Sequence, residues 1–499
     1  MTASRRALPL VGLLLAAGCA PRLVWYGKSP DRRHAVEVVE RGTSRQLVRA
    51  DGKDGAEYAG IGVDGLAWSP DGAHLAYPAQ RGGGWIVVRD GREGPAFAGI
   101  GALLWSPTGE RLAYAASRAG SWLVAQDGRE GPPFEALMAR SLVYSRDGRR
   151  FAYVGRRGER SFAVIDGVVG PAYDGLGGLR FSADGRRVVY MARRGAAAYA
   201  VLDGVESPAY EAVAEIAPSP AGARTALAVK RAGRWYAVVD GVENDEGFDR
   251  LSPFLFSASG ARLAYAARRG REELVVTDGV RGPSWDAVMP GSLVFDATGR
   301  RFAYAARRGA DWHVVLEGRE GPPYDEVGPP VFAETGAAFG HVASRGSSSF
   351  AVVDGAAGPS YAWIGQIVFR PDGREHAYAA RRGDRTLLVR GGAESAFDLV
   401  MEGTLVYSRD GRHLACLAGD AREGKLHVAI DGRLARPFDH EELTAALGRI
   451  PLAERLLVRR DDDTLRRWIA AELEATLAGS PLAGSTLAGS TLAGSPSGP

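Results

Sequence analysis

Cysteine is almost missing from this sequence, whose 499 residues include only Cys19 and Cys416. A small secreted scaffold held together by disulfides is therefore excluded, and the folded chain must be stabilised by packing. A large excess of charge of one sign is missing as well, because the formal net charge is +3 and the pI is about 8.8. We therefore predict no nucleic-acid partner.

A hydrophobic run of membrane-spanning length is also missing. The apolar stretch ALPLVGLLLAA, which follows Arg5 and Arg6, is too short to cross a bilayer and instead indicates an export signal. Its end, LAAGC, resembles the cleavage site of bacterial lipoproteins. The resemblance implies that residues 1–18 are a signal peptide, that Cys19 is lipidated, and that Ala20 favours the outer membrane. An ordinary secretory signal with an incidental cysteine is the alternative.

A turn motif recurs through most of the chain. The sequence SPDG at 69–72 returns in degenerate form every 37 to 39 residues, with its glycine at Gly109, Gly148, Gly185, Gly222, Gly260, Gly299, Gly336, Gly373 and Gly411. An earlier copy, SPDRRHAVEVV, has Arg32 at the glycine position, which makes about eleven units between residues 22 and 438. A period of this length indicates a repeat architecture.

Each unit contains four short apolar runs, as in LVYS, RFAYVG, SFAVIDG and GPAYDG of residues 142–175. The runs are separated by Asp-Gly and Arg-Gly turns, which are typical of β-hairpins. Four antiparallel strands in about 38 residues form one blade of a propeller. We therefore predict an all-β fold, a β-propeller of about eleven four-stranded blades over residues 19–438, with both surfaces of each sheet buried.

Two columns of aromatic residues repeat with the turn and are predicted to form the core. The first stands five residues after the turn glycine: Tyr77, Tyr114, Tyr153, Tyr190, Tyr265, Tyr304 and Tyr378, with Leu227, His341 and Cys416 as exceptions. The second precedes the turn: Trp68, Trp105, Tyr144, Phe181, Phe256, Phe295, Phe332, Phe369 and Tyr407.

Two copies of the unit, WSPDGAHLAY at 68–77 and FRPDGREHAY at 369–378, resemble the TolB-type, WD-like propeller repeat. The resemblance covers about four fifths of the chain and implies the fold, but it implies no particular activity, because this architecture hosts many functions. Eleven blades exceed the usual four to eight of one ring. The array either splits into two propellers, with a candidate boundary in the irregular copy around Gly222, or closes as one wide ring.

The C-terminal region departs from the repeat. Asp439 and Glu442 stand at capping-box spacing, and a segment from Asp461 has apolar residues on one helical face, so we predict short helices over 439–478. The final LAGSP-like repeats, 479–499, cannot bury a core and are predicted to be disordered.

Catalytic signatures are missing. The chain has no G-x-S-x-G elbow and no Walker-type loop. His34, His74 and His413 share one position of different repeat units, which favours a tolerated scaffold position over converging metal ligands. The recurring Asp-Gly pairs favour tight hairpins over calcium sites. We predict no cofactor, no metal site and no catalytic residue.

Arginine pairs recur in the hairpin between the second and third strands of a unit. They are Arg156, Arg157, Arg193, Arg194, Arg268, Arg269, Arg307, Arg308, Arg381 and Arg382. In a four-stranded meander these hairpins lie opposite the Asp-Gly turns, so the pairs should line one face. Either they pair with carboxylates at the end of the fourth strand, namely Asp174, Glu211, Asp286, Asp325 and Asp398, or they bind an anionic partner.

These features predict a non-catalytic scaffold: an outer-membrane lipoprotein that faces the periplasm or the surface and binds an envelope protein or an anionic glycan. The alternative is a propeller lyase or hydrolase, or a binding protein, for an envelope polysaccharide. An enzyme would need several His, Asp or Glu residues that break the repeat and converge on one channel. His341, which replaces an aromatic residue of the repeat, is the one candidate for such a residue.

Overall fold

The computed structural model describes residues 22–30, 33–42, 45–420 and 425–438. Cys19, the signal peptide, the predicted helices of 439–478 and the tail lie outside these residues. The described residues divide into two compact units, with the boundary between Ala172 and Tyr173. The boundary suggested around Gly222 is therefore wrong, because that repeat lies within the second unit.

The predicted all-β fold is confirmed, since the described residues form eleven antiparallel sheets with four strands in sequence order. We number these sheets as blades 1 to 11; in seven of them the first strand is broken into two short segments. The first unit contains blades 1 to 3 and blade 4 as far as Ala172, and Tyr173, the last residue of blade 4, belongs to the second unit. Blade 1 has strands Arg22–Lys28, Ala35–Arg41, Arg45–Ala50 and Lys53–Tyr58; blade 2 has Gly60–Ile61 with Ala67–Trp68, Leu75–Arg81, Gly84–Arg89 and Arg92–Glu93; blade 3 has Gly99–Trp105, Leu112–Arg118, Ser121–Gln126 and Arg129–Glu130; and blade 4 has Ala136–Leu137 with Val143–Tyr144, Phe151–Arg157, Arg160–Ile165 and Val168–Tyr173. A 3-10 turn, Val63–Gly65, lies between the two first segments of blade 2.

The second unit contains blades 5 to 11. Blade 5 has Gly175–Phe181, Val188–Arg194, Ala197–Leu202 and Val205–Glu206; blade 6 has Ala212–Pro218, Thr225–Arg231, Arg234–Val239 and Val242–Glu243; blade 7 has Arg250–Leu251 with Leu255–Phe256, Leu263–Arg269, Glu272–Thr277 and Val280–Trp285; and blade 8 has Ala287–Val288 with Val294–Phe295, Phe302–Arg308, Asp311–Leu316 and Arg319–Glu320. Blade 9 has Glu326–Val327 with Val331–Phe332, Phe339–Arg345, Ser348–Val353 and Ala356–Tyr361; blade 10 has Trp363–Ile364 with Val368–Phe369, His376–Arg382, Arg385–Arg390 and Ala393–Phe397; and blade 11 has Leu399–Val400 with Val406–Tyr407, Leu414–Asp420, Lys425–Ile430 and Arg433–Phe438.

Burial is concentrated in the two middle strands of each blade. In blade 8 the first five residues of the second strand, Phe302–Arg308, are all buried, and three residues of the third strand are buried. The fourth strand is mostly exposed, as in Val280–Trp285 of blade 7, where only the last residue is buried. The expectation that both sheet surfaces are buried therefore holds for the middle strands and is wrong for the fourth strand, which forms the edge of each sheet.

Both predicted aromatic columns lie in or against the core. Every tyrosine of the first column is buried, together with Leu227, His341 and Cys416 at the same position. A third column, which was not predicted from the sequence, lies at the end of the fourth strand or a few residues beyond it, where it pairs with the third strand. Its members, all buried, are Tyr58, Phe97, Phe134, Tyr173, Tyr210, Phe248, Trp285, Tyr324 and Tyr361. The rings of Trp285 and Tyr304, from blades 7 and 8, meet edge to face with centroids 6.5 Å apart.

The turn glycine lies against the turn of the preceding blade. Gly299 of blade 8 has φ +71°, and a Cβ at this position would be 2.8 Å from Cβ of Ser257 in blade 7. A Cβ would lie 2.5 to 3.1 Å from the nearest atom of the preceding blade at the equivalent glycines, namely Gly109, Gly148, Gly222, Gly260, Gly336, Gly373 and Gly411. Glycine is thus required here both by the left-handed backbone and by the space that the preceding turn occupies.

We predict that Gly299→Ala destabilises the protein by about 3 kcal/mol, because a backbone cost of about 1 kcal/mol is joined by an overpacking cost of about 2 kcal/mol. Gly309→Ala in the same blade is the matched control. Gly309 has φ +62° and no atom within 4 Å of its Cβ position, so only the backbone cost applies. Urea unfolding of both variants measures the difference, and equal losses would contradict the close-approach argument.

His341 is the one histidine in the first aromatic column. It is buried, neither ring nitrogen has a hydrogen-bond partner, and burial lowers its pKa from 6.5 to about 4. Its ring lies edge to face against Tyr324 at 5.9 Å between centroids. The residue therefore acts as an uncharged aromatic packing group, at the cost of two unsatisfied nitrogens.

Acid should consequently destabilise blade 9. Since the unfolded histidine binds a proton more readily than the folded one, the contribution of His341 is complete above pH 6.5 and declines as the pH falls towards 4, by about 3 kcal/mol in total. His341→Tyr, which restores the repeat residue, should remove this part of the pH dependence. Unfolding midpoints at pH 7 and pH 4.5 test this: a variant with the same loss as the parent protein would exclude His341 as the cause.

Candidate functional site

Each blade has two chemically different edges. The SPDG-type turn and the Asp-Gly turn lie together, because the backbone N–H of Leu75 donates to Oδ1 of Asp90 at 2.9 Å. We call this the aspartate edge. The hairpin between the second and third strands, which carries the arginine pairs, lies at the other end of the same strands and is called the arginine edge.

On the aspartate edge the Asp-Gly pairs are hairpin residues, as predicted. Asp166 has φ +50° and Gly167 φ +86°, and the pairs Asp203-Gly204, Asp240-Gly241 and Asp354-Gly355 have the same conformation. Two consecutive left-handed residues are what a tight turn between twisted strands requires. The aspartate side chain then accepts a hydrogen bond from the start of the second strand, so each pair fastens one hairpin to the next.

The repeated histidine position serves this same contact. Nδ1 of His34 lies 2.6 Å from Asp51, that of His74 lies 2.8 Å from Asp90, and that of His413 lies 2.6 Å from Asp431. The hydrogen bond with His34 holds the pKa of Asp51 below its ordinary value.

Arginine occupies the histidine position in other blades. Arg262 pairs with Asp278 at 2.9 Å and also donates to the backbone oxygen of Arg300 in the next blade at 2.7 Å. The position is therefore part of the scaffold. Over the described residues, no group of three or more His, Cys, Asp or Glu side chains could hold a metal ion.

The second arginine of each pair joins neighbouring blades. The guanidinium of Arg308 in blade 8 lies over the ring of Trp285 in blade 7, 4.3 Å from its centroid, and pairs with Glu320 at 2.9 Å. The same stacking on the preceding blade is made by Arg157, Arg194 and Arg382, whose rings are Phe134, Tyr173 and Tyr361. Arg269 pairs with Glu246 at 3.3 Å. These five arginines are held by packing and charge within the protein.

The network around Arg194 shows how tightly this second position is held. Glu206 accepts hydrogen bonds from Arg194 at 2.8 Å and from the Tyr173 hydroxyl at 2.7 Å. These bonds, that from Arg194 first, hold the pKa of Glu206 below its ordinary value. Glu394 makes the equivalent contacts with Arg382 and Tyr361 in blade 10. The aromatic ring, the carboxylate and the arginine thus form one unit in both places.

The carboxylates expected to neutralise the pairs have another role. Asp286 and Asp325 each accept a hydrogen bond at 2.6 Å from a turn N–H, that of Gly309 or Gly346. Asp174 and Glu211 do the same for Gly195 and Gly233. For Asp286, Asp325 and Glu211 the predicted partners are therefore wrong, because these side chains cap the backbone of the hairpin. Glutamates of the fourth strand, Glu206, Glu320 and Glu394, instead pair with Arg194, Arg308 and Arg382.

The first arginine of each pair is exposed and has no carboxylate partner within the described part of the chain. Arg156 and Arg193 have no polar partner there, and Arg268 donates to the backbone oxygen of Gly270 at 3.1 Å. Arg307 and Arg381 lie at 5.8 and 6.0 Å over the rings of Trp312 and Trp363. In the second unit Lys230 occupies the same position in blade 6, so five of its seven blades carry a cation here.

Two further features of the described residues are a buried cysteine and an open groove. Cys416 is fully buried, and burial raises the pKa of its thiol to about 12. An open groove of about 740 Å³ in the first unit is lined mainly by glycine and by apolar residues such as Leu66, Trp85 and Leu103, with Asp64 as its acidic residue. The described residues contain no helix that is long and apolar enough to cross a membrane.

No protein-family model matches the sequence, and no curated protein matches it. Solved structures similar in fold include a eukaryotic initiation factor, with 12% identity over 67% of this chain and 96% of that chain and a TM-score of 0.32. They also include the β-propeller domain of Cps50 (Swd1) from Myceliophteria thermophila, with 15% identity over 49% and 96% and a TM-score of 0.21. The Dos1 propeller has 11% identity over 66% and 92% and a TM-score of 0.26. The blade topology itself carries the assignment of the fold.

The two members of a pair should respond differently to mutation. We predict that Arg308→Ala costs about 1 kcal/mol, because it removes the stacking on Trp285 and an ion pair that solvent partly screens. Arg307→Ala should change stability by less than about 0.5 kcal/mol. Thermal unfolding of both variants tests the assignment, and a larger loss for Arg307→Ala would reverse it.

Proposed function

We propose that the protein is a lipid-anchored, non-catalytic β-propeller of the bacterial envelope, which binds an anionic partner along the arginine edge of its second unit. The partner is an envelope protein with an acidic surface or an anionic glycan. The anchor is Cys19, and the protein is an outer-membrane lipoprotein that faces the periplasm or the surface.

The observation that supports this most directly is the contrast within the arginine pairs. Both arginines of a pair are exposed, but the second stacks on a ring of the preceding blade or pairs with a carboxylate, whereas the first has no carboxylate partner in the described part of the chain. A cation that the scaffold does not neutralise is free to pair with an external anion. Binding is thus assigned to Arg193, Lys230, Arg268, Arg307 and Arg381.

The two units differ at this position in a way that fits a binding role. Blades 1 to 3 carry Glu40, Gln80 and Ser117, and only Arg156 of blade 4 is basic in the first unit. The blade tolerates acidic, neutral and basic residues here, so its stability does not demand a cation. The run of cations in the second unit therefore calls for another reason, and recognition of an extended anion supplies one.

The repetition of these cations suits a partner with repeated negative charge. Packed sheets lie roughly 10 Å apart, so cations of consecutive blades recur at about that interval. An acidic polysaccharide or an acidic protein edge presents charges in such a row. Individual exposed ion pairs contribute little, and affinity comes from several of them acting together.

The alternative of a propeller enzyme for an envelope polysaccharide has weaker support. Its starting residue, His341, is buried against Tyr324 and Phe339 and reaches no polar group. A general acid or base must come within hydrogen-bonding distance of its substrate. His341 acts in packing, so the proposed function assigns it no catalytic role.

Charge reversal on the arginine edge tests the proposal. The triple variant Arg193→Glu, Arg307→Glu, Arg381→Glu should lower binding of the captured partner at least about tenfold, because three attractive contacts become repulsive. The partner is obtained by crosslinking the tagged, full-length protein in the native cell. Direct binding is then measured with that protein or with alginate as a model anionic glycan.

The matched control reverses the same number of charges on the aspartate edge of the same three blades. Arg186, Arg300 and Arg374 are exposed and directly follow the turn glycine. Their replacement by glutamate changes the net charge equally and should leave binding within about twofold. Equal losses in both variants would show a net-charge effect, and unchanged binding in the first variant would exclude the arginine edge.

A further inference from the structure

The first strand of blade 1, Arg22–Lys28, exposes large apolar side chains. Leu23 is 56% exposed, Val24 43% and Tyr26 49%. Equivalent strands elsewhere are better covered, as in Ala212–Pro218 of blade 6, where only one of seven residues is exposed. Five of the seven residues of Arg22–Lys28 are exposed. Apolar surface of this kind is normally covered by a partner or by lipid.

The strand register gathers two of these side chains on one surface. Leu23 lies opposite Val39 and Trp25 opposite Val38, with a bulge between them at Val24. The bulge shifts the alternation of side chains by one residue. Leu23 and Tyr26 therefore share the surface that does not carry Trp25, whose ring packs against the core shared by blades 1 and 2.

The position of the strand in the chain points to lipid as the covering partner. Only Ala20 and Pro21 separate Cys19 from Arg22. An extended chain covers at most about 3.5 Å per residue, so Leu23 lies within about 14 Å of Cys19. If Cys19 is acylated, this strand is held at the depth of the lipid head groups.

The chemistry of the strand fits that depth. RLVWYGK has a cation at each end and no carboxylate, and its exposed Tyr26 combines an aromatic ring with a polar hydroxyl group, whereas Trp25 packs against the core. Trp and Tyr are enriched at membrane interfaces, and Arg and Lys attract anionic head groups. An amphipathic segment of this composition binds at the bilayer surface without crossing it.

We propose that the first strand of blade 1 inserts Leu23, Val24 and Tyr26 into the interface of the bilayer that holds the lipid anchor. The inference rests on the proposed anchoring at Cys19 and adds a second, protein-based contact. A lipid attached by a short chain tethers a protein without orienting it. The inserted strand fixes the orientation of blade 1 at the membrane.

The cysteine content of the chain allows a direct test. In the acylated protein Cys19 is blocked and Cys416 is buried, so an introduced cysteine is the one thiol that a dye labels readily. Leu23→Cys and Tyr26→Cys of the full chain are labelled with a polarity-sensitive dye and reconstituted into vesicles of phosphatidylethanolamine and phosphatidylglycerol. Lys53→Cys, at an exposed position of the fourth strand of the same blade, is the control.

We expect a blue shift and quenching by spin-labelled lipid at positions 23 and 26 and neither at position 53. Vesicle flotation reports the anchor separately. Protein that floats while its labels at 23 and 26 stay in water would overturn the strand contact and leave the anchor intact. Protein that does not float would overturn both, and labels that are already shielded without vesicles would assign the surface to a protein contact.

A second measurement isolates the strand from the anchor. A chain starting at Ala20 contains all described residues and has no acyl group. We expect it to cosediment with the same vesicles, and Leu23→Ser to weaken that binding about tenfold, as expected for losing one buried leucine at the interface. Equal cosedimentation of the variant and the parent chain would exclude insertion of Leu23.

Discussion

The packing of an aromatic ring, at or just beyond the end of the fourth strand, against the next blade is the contact on which much of the rest of the structure depends. In blades 7 and 8 the ring of Trp285 meets Tyr304 on its edge and Arg308 on its face. This places an aromatic residue, a column tyrosine and an arginine of two different blades at fixed distances. The same packing explains why the turn position is glycine, because blades held this closely leave no room for a Cβ at Gly299.

This contact divides each arginine pair into two roles. Alternate residues of a strand face opposite sides, so adjacent residues cannot both stack on the preceding blade. Arg308 turns towards Trp285, and Arg307 lies over Trp312 of its own sheet. Arg308, the second member of the pair, is thus held by the scaffold, whereas Arg307, the first member, has no carboxylate partner among the described residues. A repeat can therefore keep one position constant for stability and vary its neighbour for binding.

On the aspartate edge, polar contacts likewise hold the turns of each blade together. Its aspartates accept from the backbone and from a neighbouring side chain, which is His74 in blade 2 and Arg262 in blade 7. In blade 10 the charges are exchanged, and Glu375 accepts from Arg390 at 2.8 Å. What the fold requires at this edge is complementarity, and either arrangement of the charges supplies it.

The sequence by itself determined the architecture, because the SPDG-type turn, the Asp-Gly hairpins and the period of 37 to 39 residues each express a local rule of strand and turn formation. It also indicated the core columns and the scaffold role of His34, His74 and His413. Only the tertiary structure decided which groups the charged side chains contact. From the sequence, Asp286 could have paired either with an arginine or with a glycine N–H. Arg307 and Arg308 are likewise indistinguishable in the sequence. Their different surroundings arise from contacts between blades, which lie far apart in the chain, and no local pattern encodes them.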